Sequence, residues 1–429
     1  MQEKEENTTI DRQQQSPRGL LWRRLRRSRL VVWSLRVLYV LIFLAVFGDF
    51  IANEKPLFCK LNGAVQFPVF HQIGIDIGLL NQTADFIQTD WPKAKYDVSI
   101  FPPIPYSSTT IDIRNKYKGP FSEQKIRSKR YRHWLGTDRL GHDLLAGLIA
   151  GTRVAMLVGV IAMSIAVAIG ILLGSLAGFF GDDRFQVSRA ALWLNLLALF
   201  CAWFYAFKSR SFAIAEAGRQ GHLGTELFKS ILLFVVIMAF ANGLVHFVGK
   251  WPWLNKKINL PLDLIIMRAI EVMNSIPSLL LLLAVVAVLP ETSVFYVMVI
   301  IGLIRWPTIA RFLRAELLRV RNLGYIEAGR ALGFSNRRLL FRHALPNAIT
   351  PVLITVAFGM ASAVLLESAL SFLGIGIGED GVTWGRLLSD ARQNPAAWWL
   401  AIFPGGAIFV TVTIFNLIGE GLTEAMGGE

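Results

Sequence analysis

Long runs of apolar residues, separated by short polar or basic stretches, dominate the pattern along this chain. Each run is about 20 residues long or longer, which is the length of an α-helix that crosses the hydrocarbon core of a bilayer. The runs predict spans over residues 31–51, 154–180, 190–207, 228–248, 262–288, 293–312, 349–370 and 397–418. The pattern therefore predicts an all-α polytopic membrane protein with about eight transmembrane helices.

The segments between the runs predict how the chain is oriented. Residues 1–30 form a polar and then basic tail, and residues 52–147 form a turn-rich region without strong periodicity. Five arginines directly precede or begin the first run: Arg23, Arg24, Arg26, Arg27 and Arg29. Basic residues beside a span stay in the cytoplasm, so we expect the tail inside and residues 52–147 outside, in the periplasm. The first run is long and no A-x-A-like site follows it, which favours an uncleaved span over a signal peptide.

The composition supports a membrane protein and argues against a soluble, nucleic-acid-binding or disulfide-rich protein. Of the 429 residues 54% are hydrophobic, and the mean hydropathy is +0.48, whereas soluble domains contain about 45–50% apolar residues. A net charge of +14 could indicate nucleic-acid binding, but the basic residues lie beside apolar runs, as topology signals do. We therefore expect no nucleic-acid partner. Cys59 lies outside and Cys201 inside a predicted span, so no disulfide framework is expected.

A basic loop, residues 313–347, separates two of the runs, and residues 322–347 within it predict a helix–turn–helix. Gly333 suits a left-handed cap that ends the first helix. Ser335 suits the N-cap of the second helix, and Pro346 is expected to end that helix. Small residues lie on one flank of the first helix and would admit another backbone: Ala328, Gly329 and Ala331.

The basic loop resembles the EAA motif of ABC importer permeases. The resemblance rests on Glu327-Ala328-Gly329, then Gly333, then Leu345-Pro346. Gly329 stands where the motif usually has a second Ala, and His343 where it often has an aliphatic residue. The resemblance implies that the loop is a pair of coupling helices that docks on an ATP-hydrolysing subunit. The implied coupling residues are Glu327, Ala328, Gly329, Gly333, Leu345 and Pro346. The pattern by itself also fits a generic amphipathic loop between two spans.

A second motif lies near the end of the outer region. The stretch 135–143 resembles the LGTDxxGRD signature of the dipeptide/oligopeptide/nickel branch of these permeases, with His142 in place of the usual Arg. The matching residues are Leu135, Gly136, Thr137, Asp138, Gly141 and Asp143. The resemblance implies a structural role, in which the outer loop folds against the start of the second span. Two His and two Asp could suggest a metal site, but their spacing is not diagnostic, and we predict none.

Two shorter stretches also resemble this branch. Residues 371–378, followed by Trp384-Gly385, resemble its SFLGLG…WG segment, and residues 51–57 resemble the sub-branch that takes up microcin C-type peptides. Taken with the two motifs above, they imply a type I ABC importer permease whose core has six spans, within a permease domain over residues 148–429.

Residues 184–258 depart from the six-span pattern. They contain two additional apolar runs, which we interpret as an inserted hairpin of two spans. Two added spans return the chain to the same side, so the core topology is preserved. The alternative is an insertion on the membrane surface, which would keep the basic residues Lys208, Arg210 and Arg219 on the cytoplasmic side.

Three residues of the run 262–288 are candidates for the transport path: Glu271, Asn274 and Pro277. Polar and ionisable groups at membrane depth are costly and usually face a cavity or a partner, and proline kinks a helix. Glu271 could instead lie at the interface, paired with Arg268. Both interpretations remain open at this stage.

The sequence thus predicts the permease subunit of an ATP-driven importer for peptides or similar small solutes in a bacterial inner membrane. The resemblance implies ATPase subunits, a second permease and a solute-binding protein as partners. The chain has no Walker-type phosphate loop, and we expect no enzymatic activity, catalytic residue, metal or cofactor. An ion-coupled secondary transporter would usually show inverted repeats, and none is evident. For a membrane-embedded enzyme the only candidate cluster is His133, Asp138, His142 and Asp143.

Overall fold

Helices form most of the described chain and contain nearly all of its apolar runs. The computed structural model describes residues 25–61, 63–76, 78–81, 83, 86, 89–92, 94, 96–126, 128–182, 186–219, 222–248, 253–289, 293–375 and 381–427. In chain order the helices are α1 (Arg29–Ile51), α2 (Pro68–Asp76), α3 (Leu144–Ser175), α4 (Arg189–Trp203), α5 (Ser211–Arg219), α6 (Leu223–Val248), α7 (Leu262–Ser275), α8 (Ser278–Val288), α9 (Val294–Val320), α10 (Gly324–Ala331), α11 (Asn336–Arg338), α12 (Leu345–Ala348), α13 (Thr350–Phe372), α14 (Trp384–Asp390) and α15 (Trp399–Gly427). The strands are β1 (Phe58–Leu61), β2 (Ala64–Gln66), β3 (Val98–Ile100), β4 (Gln186–Ser188) and β5 (Lys257–Asn259).

Seven helices within the described residues are long and apolar enough to cross a membrane. They are α1, α3 with a π-turn to Phe180, α4 with a π-turn to Lys208, α6, α9, α13 and α15. An eighth span results if the bent pair α7 and α8 counts as one. These helices confirm the polytopic all-α architecture predicted from the apolar runs.

Several helices extend beyond the apolar runs that predicted them. α3 begins at Leu144 rather than near residue 154, because the Asp143 side chain accepts a hydrogen bond from the Ala146 N–H (2.8 Å) and caps the helix before the run starts. α9 continues to Val320, so the first part of the predicted basic loop is helical, and α15 continues past residue 418 to Gly427. Hydrophobicity marks the membrane-buried length of a helix, whereas hydrogen bonding continues into polar sequence.

The run 262–288 is broken rather than kinked. α7 ends at Ser275, and α8 begins at Ser278 with its axis turned by 85°. Pro277 is the N-cap of α8 and has an extended conformation (φ −55°, ψ 124°). Because proline disfavours a helical residue before it, the two helices meet at a corner that is sharper than the predicted kink.

The chain divides into two compact units, residues 1–174 with 270–429 and residues 175–269. In the first unit, α3 and α9 approach so closely that only glycine fits at several contacts. A Cβ on Gly174 would lie 2.8 Å from the Ala310 carbonyl oxygen, and one on Gly302 would lie 2.8 Å from the Ala162 carbonyl oxygen. Small residues allow this backbone contact between membrane helices.

An ion pair holds α1 against α3. The Arg153 guanidinium donates hydrogen bonds to the Asp49 carboxylate (2.6 Å) and to the Ala45 carbonyl (2.9 Å). On the same side of α1, a Cβ on Gly48 would lie 2.9 Å from the Ile149 side chain. This pair is not predictable from the sequence, because its partners are distant along the chain and each lies within or at the edge of an apolar run.

The second unit contains the inserted hairpin. β4 and β5 pair antiparallel, with Gln186 opposite Asn259, so the segment leaves and returns at one place. Within the hairpin, the amides of Asn195 on α4 and Asn242 on α6 donate to each other (3.4 and 3.2 Å). Arg210 and Glu226 form an ion pair near the connection between the two long helices. This connection contains α5, which the sequence analysis did not predict.

The outer region is less irregular than predicted. β1 pairs antiparallel with both β2 and β3 in a three-stranded sheet, and α2 follows β2. Most of the predicted N-terminal tail (residues 1–24), residues 183–185 and residues 376–378 of the glycine-rich turn lie outside the described residues.

We expect Gly174→Ala to destabilise the protein by about 1–3 kcal/mol, the usual cost of overpacking a well-packed contact. The new methyl group would meet backbone atoms of Ala310 at 2.8 and 3.1 Å, and backbone cannot rotate away. Gly406→Ala is the matched control, because no atom lies within 4 Å of its Cβ position in α15. Thermal unfolding in detergent measures both variants, and an unchanged Tm for Gly174→Ala would contradict the close approach.

Candidate functional site

The first helix of the basic loop ends in the predicted left-handed turn. Gly333 has φ +79°. Its N–H donates to the Arg330 carbonyl (2.9 Å), and the Phe334 N–H donates to the Gly329 carbonyl (3.0 Å). These two hydrogen bonds define a Schellman motif, which satisfies the carbonyls at the end of α10 and fixes the direction of the following chain.

The second helix begins at the predicted N-cap but does not end at the predicted proline. The Ser335 hydroxyl accepts from the Arg338 N–H (3.3 Å) and caps α11. The chain then continues through a π-turn, Leu339–Ala344, into α12. Pro346 lies in the first turn of α12, where a missing N–H is tolerated. The prediction that Pro346 ends the helix is therefore wrong.

The two halves of the basic loop pack on each other. Leu339 is fully buried, and a Cβ on Gly329 would lie 2.8 Å from one of its methyl carbons. Leu345 is half-buried, whereas Ala328 and Ala331 are exposed. Of the predicted small flank, only Gly329 is used for close packing within this chain. The result is a rigid helix–turn–helix.

The loop also leaves large apolar side chains in solvent. Leu332 is 74% exposed and Phe341 65%, and Glu327 in the same loop is also exposed. Three exposed arginines follow: Arg337, Arg338 and Arg342. Exposed apolar residues with a polar surround are typical of a protein–protein contact.

The outer-loop motif is folded by two tight turns. Gly136 (φ +89°) and Gly141 (φ +87°) are both left-handed, and a Cβ on either would lie within 2.6 Å of a backbone oxygen. Between them the Asp138 carboxylate accepts from the Leu140 and His142 N–H groups (2.8 and 2.9 Å). Only glycine fits the two turns, which explains why the motif contains two glycines.

The same motif binds the outer loop to the start of two long helices. The Trp399 indole N–H, at the first residue of α15, donates to the Thr137 carbonyl (3.0 Å). Asp143 caps α3 and also accepts from the buried ring of His133 (2.8 Å). Leu135 packs into the hydrophobic cluster formed by these helices. The motif therefore contacts the start of the second span, where the sequence analysis expected it.

The histidines and aspartates of the motif are paired with one another. His133 bonds Asp143, and His142 Nδ1 lies 2.7 Å from Asp138. Among the described residues no group of three or more His, Cys, Asp or Glu side chains could hold a metal ion. The His133–Asp143 pair connects the motif to the residues before it, and His133 Nε2 also lies 3.4 Å from the Asp112 carboxylate.

A polar cavity of about 340 Å³ separates this motif from α14. Asp138 and Asp390 both line it, and their electrostatics differ. Burial raises the pKa of Asp138, but the hydrogen bond and charge of His142 outweigh this and hold the pKa below its ordinary value. Burial, and secondarily the Asp138 carboxylate, raise the pKa of Asp390. The fold thus stabilises the ionised form of Asp138 and destabilises the ionised form of Asp390.

Trp384-Gly385, the second part of the segment that resembles SFLGLG…WG, lies at the start of α14. The Trp384 indole N–H donates to the Leu148 carbonyl (2.9 Å), and a Cβ on Gly385 would lie 2.3 Å from the Ser368 carbonyl oxygen. Nearby, the buried Glu367 carboxylate accepts from the Ser371 hydroxyl (2.6 Å). This contact could have been predicted from the sequence, because residues four apart face each other on a helix.

The three candidate pathway residues lie at the corner between α7 and α8. Glu271 and Asn274 are both exposed in this single chain, and Pro277 forms the break itself. The Ser275 hydroxyl donates to the Glu271 carbonyl (2.8 Å) and satisfies one of the last carbonyls of α7. The corner therefore presents polar side chains within an otherwise apolar segment.

Comparison with known families matches both ends of the chain. The binding-protein-dependent transport system inner membrane component family matches residues 253–426. The N-terminal transmembrane domain of oligopeptide transport permease C matches residues 16–63.

Individual relatives agree with the families. The inner membrane ABC transporter permease protein YejE of Escherichia coli (strain K12) is 27% identical over 409 residues, which cover 94% of this chain and 95% of that protein. The dipeptide transport system permease protein DppC of Alkalihalophilus pseudofirmus is 27% identical and covers 77% of this chain and 80% of that protein. A peptide permease protein of Brucella ovis is 30% identical and covers 52% of this chain and 72% of that protein.

We expect opposite effects from neutralising the two aspartates of the polar cavity. A lowered pKa means that Asp138 stabilises the fold at pH values above its ordinary 3.8, and that this stability is lost as pH falls through the lowered value. Asp138→Asn should therefore lower the free energy of unfolding at pH 7 by roughly 1.5–3 kcal/mol, the contribution of hydrogen bonds to a charged group, and so lower Tm.

A raised pKa means that ionised Asp390 costs stability, increasingly as pH rises from 3.8 through the raised value. Asp390→Asn should therefore raise Tm at pH 7, and its advantage over the unaltered protein should shrink as pH is lowered. Tm measured across pH 4–8, with hydrogen exchange of residues 133–143, checks both variants. A loss of stability in both at pH 7 would contradict the opposed pKa shifts.

Proposed function

Because the chain belongs to the inner-membrane permeases of binding-protein-dependent ABC importers for peptides, we propose that its basic loop is the site at which ATPase subunits act on it. The protein is a permease subunit and not an enzyme. The observation that carries the proposal is the rigid helix–turn–helix with Leu332 and Phe341 exposed. An apolar surface on a loop between two spans needs a protein partner, since water does not favour it.

The loop can transmit force because it is continuous with helices on both sides. α9 reaches Val320, inside the basic loop and just before its helix–turn–helix (residues 322–347), and α12 is followed at once by α13. Gly333 and Leu339 hold the two halves in one arrangement. When ATPase subunits close on ATP, a rigid loop transfers their movement to α9 and α13 and so changes the side on which the pathway opens. In this mechanism Glu327, Ala328, Leu345 and Pro346 lie in or beside the contact.

The remaining partners follow from the family. A second permease completes the pathway, and a solute-binding protein delivers substrate at the outer face. The arginine-rich start and the basic loop both favour cytoplasmic termini by the positive-inside rule. The names of two relatives, a dipeptide permease and a peptide permease, support peptides as the substrate class.

Two further assignments complete the topology. The inserted hairpin spans the membrane twice, which its two long apolar helices and the pairing of β4 with β5 support. The outer-loop motif has a structural role and holds the outer region on α3 and α15, through Asp143 and Thr137.

The corner between α7 and α8 lines the transport path. Glu271 and Asn274 place polar groups at a break in the membrane segment, where an unpartnered helix end would be costly in lipid. A water-filled pathway satisfies the backbone groups freed by Pro277, and irregular backbone at membrane depth is usually found beside such a cavity.

We expect Gly333→Asp to uncouple transport. It replaces the glycine that permits φ +79°, and a residue with a side chain costs about 1–2 kcal/mol in this left-handed backbone conformation. It also adds a charge to the loop that carries the exposed apolar residues. Peptide uptake by proteoliposomes containing the whole importer should fall about tenfold or more, the equivalent of about 1.4 kcal/mol. Co-purification of the ATPase subunits should weaken in parallel.

Gly324→Asp is the matched control for this variant. Gly324 lies in the same loop with open space around it and no left-handed φ, and an acidic residue in the first turn of a helix is favourable. Normal uptake by Gly333→Asp, or an equal loss in Gly324→Asp, would contradict the proposed coupling site.

We expect a cysteine at position 274 to react with a charged, membrane-impermeant thiol reagent in the assembled importer. The chain would have its two native cysteines replaced by serine. Leu280→Cys on α8 is the control, because Leu280 is also exposed in this single chain but lies in a wholly apolar helix. Faster labelling at 274, slowed by saturating substrate peptide, supports a pathway at the corner. Equal labelling at both positions would count against it.

A further inference from the structure

A large cavity opens in the outer region, beside the outer end of α1. Its volume is about 810 Å³, within the range of roughly 300–1,000 Å³ that small-molecule sites occupy. Four aromatic side chains line it: Phe67, Phe70, Phe86 and Trp91. Polar side chains also line it, Gln66, Thr83 and Thr89 among them, and a wall of this mixed character suits an amphipathic ligand.

The aromatic wall of this cavity continues onto the first membrane span. Phe70 contacts Phe50 near the outer end of α1, with ring centroids 5.1 Å apart. Phe50 contacts Phe47 (6.1 Å), and Phe47 contacts Phe43 (5.0 Å). Spacings of three and four residues place these rings on one face of α1, and Phe43 and Phe47 are exposed there.

The opposite face of α1 is already occupied. Arg153 and Ile149 of α3 contact α1 at Asp49 and Gly48, and Val31 packs against Gly421 of α15. In a membrane span, the exposed face is the one that remains for hydrocarbon. The row of phenyl rings therefore leads from the lipid-facing side of α1 into the cavity.

Polar groups stand beside the aromatic wall. The Lys55 ammonium lies 4.6 Å from the centroid of Phe86 and donates to the Gln72 side chain (2.5 Å). The His71 ring contacts Phe86 in a tilted arrangement (ring centroids 4.6 Å apart), and its Nδ1 is buried without a hydrogen-bond partner in the described part of the chain. A cation and an unsatisfied ring nitrogen next to an apolar wall fit a ligand with a polar head and an apolar chain.

We propose that this cavity holds an acyl chain of a membrane phospholipid, with the headgroup near Lys55 and His71. The acyl chain reaches the cavity along the row of phenyl rings on α1, and it thereby anchors the outer region to the outer leaflet. The proposal rests on α1 being a membrane span whose phenyl face meets lipid, and it is independent of coupling at the basic loop.

The test uses the full chain in nanodiscs that contain a phosphatidylethanolamine with a diazirine at the end of one acyl chain. After irradiation, mass spectrometry locates the crosslinks. We expect labelled peptides from residues 65–91 in addition to those from α1. Val65→Glu places a charge at the cavity wall, and we expect it to reduce the labelling of residues 65–91 about tenfold, which corresponds to about 1.4 kcal/mol.

Val98→Glu is the matched control. Val65 and Val98 are exposed to a similar extent (57% and 55%) and both pair with Lys60 in the outer sheet, but Val98 does not line the cavity. It should leave the labelling unchanged, and both variants should keep the Tm of the unaltered protein. Equal losses in the two variants would overturn the proposal, as would the absence of lipid label from residues 65–91.

A second probe distinguishes lipid from substrate. A water-soluble apolar tripeptide with a diazirine side chain is added to nanodiscs without the labelled lipid. Labelling of residues 65–91 by the lipid alone supports the acyl-chain site. Labelling by the tripeptide alone would show a peptide site instead and would overturn the proposal.

Discussion

The contact between α3 and α9 is the constraint on which the first unit depends. In lipid, helices gain little from burying apolar surface, so association relies on close packing. Gly170, Gly174 and Gly302 provide it, since a Cβ on each would lie within 2.8 Å of an atom of the facing helix. α9 leads directly into the basic loop, and α3 begins at the outer-loop motif. The contact between the backbones of α3 and α9 therefore positions both the basic loop and the outer-loop motif.

Much of the architecture followed from the sequence, because apolar length is a direct requirement of the bilayer. Local turn chemistry was equally readable. Gly333 and Ser335 were predicted as caps, and the structure gives them those conformations. Each of these features depends on a few neighbouring residues, which is why a single sequence was enough.

Features that depend on partners distant in sequence were not predictable. The Asp49–Arg153 ion pair and the Asn195–Asn242 amide pair join residues on separate helices, and no local pattern marks them. Pro346 was misinterpreted for a different reason. A helix that widens through a π-turn can restart at a proline, whereas the rule applied to the sequence assumes an uninterrupted α-helix. The coupling role of the loop and the pathway role of Asn274 are proposals that concern surfaces facing other subunits.

The antiparallel pairing of β4 with β5 has a consequence for how such a permease could have arisen. Since Gln186 and Asn259 are opposite one another, everything between them is an excursion that starts and finishes at neighbouring points. With the two membrane crossings that we propose for the hairpin, a segment of this kind can be gained or lost without reversing the direction of any later span. The hairpin is thus a topological module, closed on itself by its own pair of strands.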